Sequence, residues 1–182
     1  MPQGVFGVFP CRTVGDDVVI FDPVDFSSVV GKIPFNVVLG HGKKDVFSVA
    51  QYFSMEESNY FDAIGLQITT GGSAVERQIA ACKNRSDTES AHYLQGLSDR
   101  VAEDMASYVH GVLRTRLSLA VDAGCRYSPG YPALKDIMVN KSIFELLQAS
   151  EQLEISLTDA GEFDPTGTTG AVVCFHPDAG YE

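Results

Sequence analysis

Arg126-Tyr127-Ser128-Pro129-Gly130-Tyr131-Pro132-Ala133 brings one fixed cation, two phenol rings, a Pro-Gly pair and a closing proline into eight residues. The guanidinium offers a rigid fork of donors that matches a carboxylate or a phosphate. Proline presets φ and glycine tolerates positive φ, so Pro129-Gly130 predicts a turn. Such a turn holds the Arg126 fork and the Tyr131 ring at a defined separation around a small charged ligand. On local chemistry alone, a surface turn with an exposed arginine is the favoured reading.

The element before the turn is the longest helical pattern in the chain, residues 87–118. Leu94, Leu97, Val101, Met105, Val109 and Val112 recur at three- and four-residue steps and predict one apolar stripe. Glu103 lies about 200° around the helix from Val101. It shares that far face with the small residues Gly96, Ser107 and Gly111, and with Asp99. This is either a solvated polar face or one kept small so that a ligand or loop can approach, with Glu103 supplying negative charge.

Strands are expected at both ends of the chain. Gly4 to Phe9 is an apolar run closed by Pro10, and Gly15-Asp16-Asp17 turns into Val18 to Phe21, predicting a hairpin at a sheet edge. Residues 23–42 read as loop with one strand at 35–39. Asp45 is expected to cap a short helix through Phe53, with Val46, Val49, Ala50 and Phe53 inward. Phe61 to Thr70 alternates as a strand, and Ser73 with Glu76 reads as the capping box of the next helix. Asn84 to Asp87 interrupts the helical pattern. After the Arg126 turn come an amphipathic helix at 140–147, a strand at 153–158 and an apolar strand at 171–175. Strands at the ends with helices between them predict an α+β fold with a mostly antiparallel sheet.

A chain of 182 residues suits one domain, residues 1–182, with a real core. Its 24 acidic and 13 basic residues leave a net charge of −11, against binding to nucleic acid or anionic lipid. No apolar run reaches the roughly 20 residues that span a bilayer. The start, Met1-Pro2-Gln3-Gly4, has no features of a signal peptide. Cys11, Cys82, Cys125 and Cys174 are isolated, so reduced thiols in the cytoplasm are expected.

Familiar catalytic patterns are missing. Val37 and Lys44 break the phosphate-loop spacing around Gly42-Lys43, and no Gly-x-Gly-x-x-Gly follows a strand. There is no Gly-x-Ser-x-Gly, and His41, His92, His110 and His176 have no metal-ligand spacing.

Six segments in order resemble the AdoMet-binding activation, or reactivation, domain of cobalamin (vitamin B12)-dependent methionine synthase. They are Gly4 to Pro10 with Val14-Gly15-Asp16-Asp17; Asp99-Arg100-Val101-Ala102-Glu103; Arg126-x-x-Pro129-Gly130-Tyr131-Pro132; Phe144-Glu145-Leu146-Leu147; Leu157-Thr158; and His176-Pro177-Asp178-x-x-Tyr181. They run from residue 4 to residue 181. Relative to that family the chain starts after a helical segment with a further acidic contact and stops before more sheet and helix. Gly180 stands where a lysine is common.

The resemblance implies that the antiparallel sheet is bent. It also implies that the chain holds AdoMet over a cobalamin carried by a partner module, or by a truncated synthase, when oxidation has removed the reactive cobalt state. An electron, from a donor of flavodoxin type, and the AdoMet methyl then restore methylcobalamin. Both the chain and such a donor are acidic, so charge does not steer them together. No protein acid or base is needed, because cofactors carry the difficult step and the protein positions them. By the same resemblance Arg126 pairs with the AdoMet carboxylate, and Glu103 faces a polar or positive part of the ligand. Gly130 admits close backbone approach, Tyr131 lines the site, Tyr181 closes it and Ser128 adds a lesser contact. The chain is then one component of a methyltransferase in methionine biosynthesis. A subunit that binds AdoMet or docks on a corrinoid protein without turnover fits the same residues.

Overall fold

The computed structural model describes residues 1–35, 37–39 and 46–180. Ten strands occur among them: β1 Gln3–Val14, β2 Asp17–Phe21, β3 Val29–Pro34, β4 Val37–Leu39, β5 Val46–Ser48, β6 Asp62–Thr70, β7 Cys125–Tyr127, β8 Ser156–Leu157, β9 Phe163–Asp164 and β10 Thr168–Cys174. The helices are α1 Ser73–Asn84, α2 Thr88–Arg116, α3 Val139–Leu146 and α4 Ala149–Gln152, with a 3₁₀ turn at Val49–Tyr52. Six strands form one sheet in the order β3-β2-β1-β6-β10-β7, antiparallel at every pairing. The α+β class and the antiparallel sheet agree with the sequence reading.

Strand alternation divides the side chains between two faces. Ile64, Leu66 and Ile68 of β6, Val172 and Cys174 of β10, and Val5 and Cys11 of β1 point to the larger core. There α3 packs on β3, β6 and β10, adding Val139 and Ile143. The intervening residues, among them Gln67, Thr69 and Val173, face α2, which lies across β6, β10 and β1. Burial of these apolar side chains contributes roughly 25 cal/mol per Å² removed from water.

The stripe that α2 presents to the sheet differs from the expected one. Ala91, Ser98, Ala102, Ala106, Val109, His110 and Leu113 are buried, whereas Leu97 is 57% exposed and Leu94, Val101 and Met105 are only half-buried. The reason is distance. Thr69 Oγ1 donates to Ala102 O at 2.8 Å and Gln67 Nε2 to Ala106 O at 3.1 Å. Where the helix backbone comes that close to the sheet, at Ala102 and Ala106, there is room only for small side chains, and larger ones enter further along at Val109, His110 and Leu113.

Other boundaries also moved. β1 runs on through Pro10 to Val14, because β2 pairs only from Cys11 onward and a missing N–H on that side breaks no ladder bond. The two-residue Gly15-Asp16 turn does make the β1–β2 hairpin. The sheet edge, however, is β3, hidden in sequence by Gly31 and Pro34. The strand expected at 35–39 is the three-residue β4, paired with β5. Asp45 lies outside the described residues, and the expected helix is a 3₁₀ turn capped by Ser48, which buries Val49 and Ala50. Ser73 does not cap α1; Gly72 does, and Ser73 Oγ instead donates to Glu154. Residues 153–158 contribute only β8, and Cys125–Tyr127, where the sequence suggests loop, form β7. Among the described residues no helix is long and apolar enough to cross a membrane.

Candidate functional site

Arg126 is the middle residue of β7, and its register explains where it points. Tyr127 lies opposite Val172 and Cys125 opposite Cys174, both on the α3 side, so Arg126, opposite Val173, emerges on the α2 side. The strand is fixed from before and after. Gly124 has φ +74°, a conformation only glycine adopts without strain, and a Cβ there would collide with Cys174 O. Arg114 of α2 donates from Nε to Ala123 O at 2.5 Å and from Nη2 to Gly124 O at 3.1 Å. Tyr127 goes the other way, into the core, where its ring meets Phe35 edge-on at 6.2 Å.

On the α2 side Arg126 Nη2 donates to Ser107 Oγ at 3.3 Å and lies 3.6 Å from Glu103 Oε2. The arginine side chain is 18% exposed and that of the glutamate 53%. Glu103 and Ser107 are one turn apart, so the face carrying the small residues and Glu103 is the one that meets the turn. What meets that face is the arginine of the turn.

The turn itself closes as the Pro-Gly pair requires. Tyr131 N–H reaches Ser128 O at 3.4 Å, Gly130 N–H donates to Leu134 O at 2.8 Å and Leu134 N–H to Tyr131 O at 2.9 Å. Gly130 has φ +91°, and a Cβ added there would meet nothing within 4 Å, so open space lies against the backbone. Ser128 is half-buried beside it, and the Tyr131 ring is 66% exposed at the tip. A cation, an anion on the facing helix, and bare backbone beside a turn can receive a small zwitterionic ligand.

Tyr181 lies outside the described residues. The chain leading to it is tied to the core side of β7: Tyr127 Oη donates to Gly180 O at 3.0 Å and Tyr52 Oη to Asp178 O at 2.8 Å. The Tyr52 ring stacks on His176 with centroids 5.0 Å apart. The His-Pro-Asp segment thus ends beside β7.

Two residues missed in the sequence belong to the same helix face, Arg114 and His110. His110 is 6% exposed, and its Nε2 has no hydrogen-bond partner. Burial first, then the charges of Arg114 and Arg126, push its pKa down to about 4, so the ring is neutral. Glu103, Ser107, His110 and Arg114 follow at steps of four, three and four, the repeat of one helix face. That spacing was the available signal.

The family model for the vitamin B12-dependent methionine synthase activation domain matches residues 1–181. The chain belongs to this family. Among solved structures, the MetH reactivation domain bound to AdoHcy superposes with a TM-score of 0.87 at 26% identity. The match covers all of this chain and 60% of the other. The six-stranded antiparallel sheet with its helices matches the fold of that domain.

Proposed function

We propose that this activation domain, residues 1–182, binds AdoMet at the Arg126 turn and presents it to a cobalamin held by a partner module. The observation that carries the reading is the juxtaposition of Arg126, Glu103 and open backbone at Gly130. The family membership and the AdoHcy bound to the similar MetH domain support it. AdoMet, when bound, supplies a sulfonium-activated methyl group for transfer to reduced cobalamin.

The residues of this chain bind and orient. The Arg126 fork receives the amino-acid carboxylate, for which its geometry is suited. Glu103 faces the ammonium, so the two groups that pair with each other at 3.6 Å divide between the two ends of a zwitterion. Gly130 lets backbone approach the ligand without a side chain between them, and Ser128 and Tyr131 flank it. Tyr181, by the family resemblance, would close the site. No side chain needs to move a proton, since the leaving group is a neutral thioether. The work of the protein is proximity and orientation. The partner is a cobalamin-binding module or a synthase lacking this domain, with a flavodoxin-like reductant, in the cytoplasm.

The test is methyl transfer. Reduced cobalamin module is mixed with methyl-labelled AdoMet with and without this chain. Label reaching the cobalamin only when the chain is present is the expected result. AdoMet binding without transfer would leave a docking or sensing subunit. Transfer at the same rate in the absence of the chain would contradict the proposal.

A further inference from the structure

We propose that Ser107 is a positioning residue for Arg126: its hydroxyl holds Nη2 against α2 so that the fork meets the carboxylate of the ligand. This rests on the AdoMet reading of the site. Ser107 Oγ donates to Glu103 O at 3.1 Å, one helical turn back, and receives Arg126 Nη2 at 3.3 Å. With its proton given to that carbonyl, the hydroxyl has only lone pairs left for the guanidinium.

Ser107 and Glu103 hold the same nitrogen in different ways. The glutamate contact is longer, 3.6 Å, and its carboxylate is 53% exposed, so solvent screens it and a ligand ammonium can draw it away. The serine contact carries no charge. It stays when Glu103 turns to the ligand, and a neutral hydroxyl offsets none of the positive charge of Arg126. A second carboxylate at this position would compete with the ligand for that charge. The rest of the face has the same character. His110, next along, is neutral, and Arg114 is turned onto the Ala123 and Gly124 carbonyls, anchoring the backbone that carries Arg126. Helix α2 therefore fixes both the strand and the nitrogen of its arginine.

Titrations with AdoHcy and with its decarboxylated analogue test the role, because only the first carries the group that Arg126 receives. Ser107 is exposed on its helix, so Ser107→Ala is expected to fold with an unchanged melting temperature. Its AdoHcy affinity should fall about tenfold, as for loss of a hydrogen bond to a charged group, with the decarboxylated analogue changing less than about twofold. Ser107→Thr keeps the hydroxyl and should recover AdoHcy binding to within about threefold. Equal losses for both ligands in Ser107→Ala, or no loss for either, would overturn the inference. Wild-type chain that binds neither ligand would overturn the AdoMet reading itself, and the inference with it.

Discussion

At the scale of single residues, a buried histidine between two arginines has a measurable consequence. Burial, Arg114 and Arg126 together keep His110 neutral in the folded chain down to about pH 4, against about 6.5 for an unconstrained imidazole. Its folded pKa is depressed, so between those values the unfolded chain binds more protons. The stability associated with neutral His110 is complete above about pH 6.5 and is lost as pH falls toward 4, by roughly 3 kcal/mol in all. In His110→Phe the denaturant midpoint should vary less between pH 7 and pH 4.5 than in the wild type. Identical pH profiles would exclude the effect. Glu103 and Arg126 were legible because a charge among small residues and an arginine before Pro-Gly are both uncommon, and because they occur in a family's order. Ser107 was legible only as a small residue, since nothing in its type announces a hydrogen bond to a strand that starts 18 residues later. His110 carried no signal until burial was known.

At the scale of elements, β7 and α2 make the site, and each can be tested by packing. Gly124→Ala puts a side chain at φ +74° and against Cys174 O, and should cost about 1–3 kcal/mol for the backbone alone. Because the clash lies between β7 and β10, AdoHcy affinity should fall with it. A variant that is less stable but binds normally would show that strand placement does not set the site. On α2, Ala106 is fully buried where Gln67 reaches its carbonyl. Ala106→Leu should lower stability by about 1–3 kcal/mol through overpacking, read as a lower urea midpoint at unchanged slope. The helix was legible from its period, but its inward face was not. Leu97 and Val101 outweigh alanine in hydrophobicity, whereas the actual selection was for size, imposed by how near the sheet lies. That distance is a tertiary quantity. β3 and β7 escaped for a related reason: edge strands carry Gly, Pro and Arg that read locally as loop.

At the scale of the whole molecule, the chain is held by its two sheet faces. All four cysteines are buried thiols, none of them in a disulfide. Burial foremost raises the Cys174 thiol to about 12 and the Cys11 thiol still higher, with Asp62 adding to both. Native chain should resist an aromatic disulfide reagent and expose four reactive thiols only on denaturation. Rapid native labelling of Cys11 or Cys174 would show a looser core than described. The overall class was legible because helices in the middle and strands at both ends leave few ways to build one sheet. The crossing that brings residue 126 against residues 103 and 107 was legible only through the family resemblance, since it depends on which edge β7 joins. The central claim is that this crossing builds an AdoMet site around Arg126, and calorimetric titration with AdoHcy tests it most directly. Wild-type chain should bind one equivalent, and Arg126→Ala, with an unchanged melting temperature, should bind at least about tenfold more weakly. Equal affinity in the two proteins, or no binding by folded wild-type chain, would contradict it.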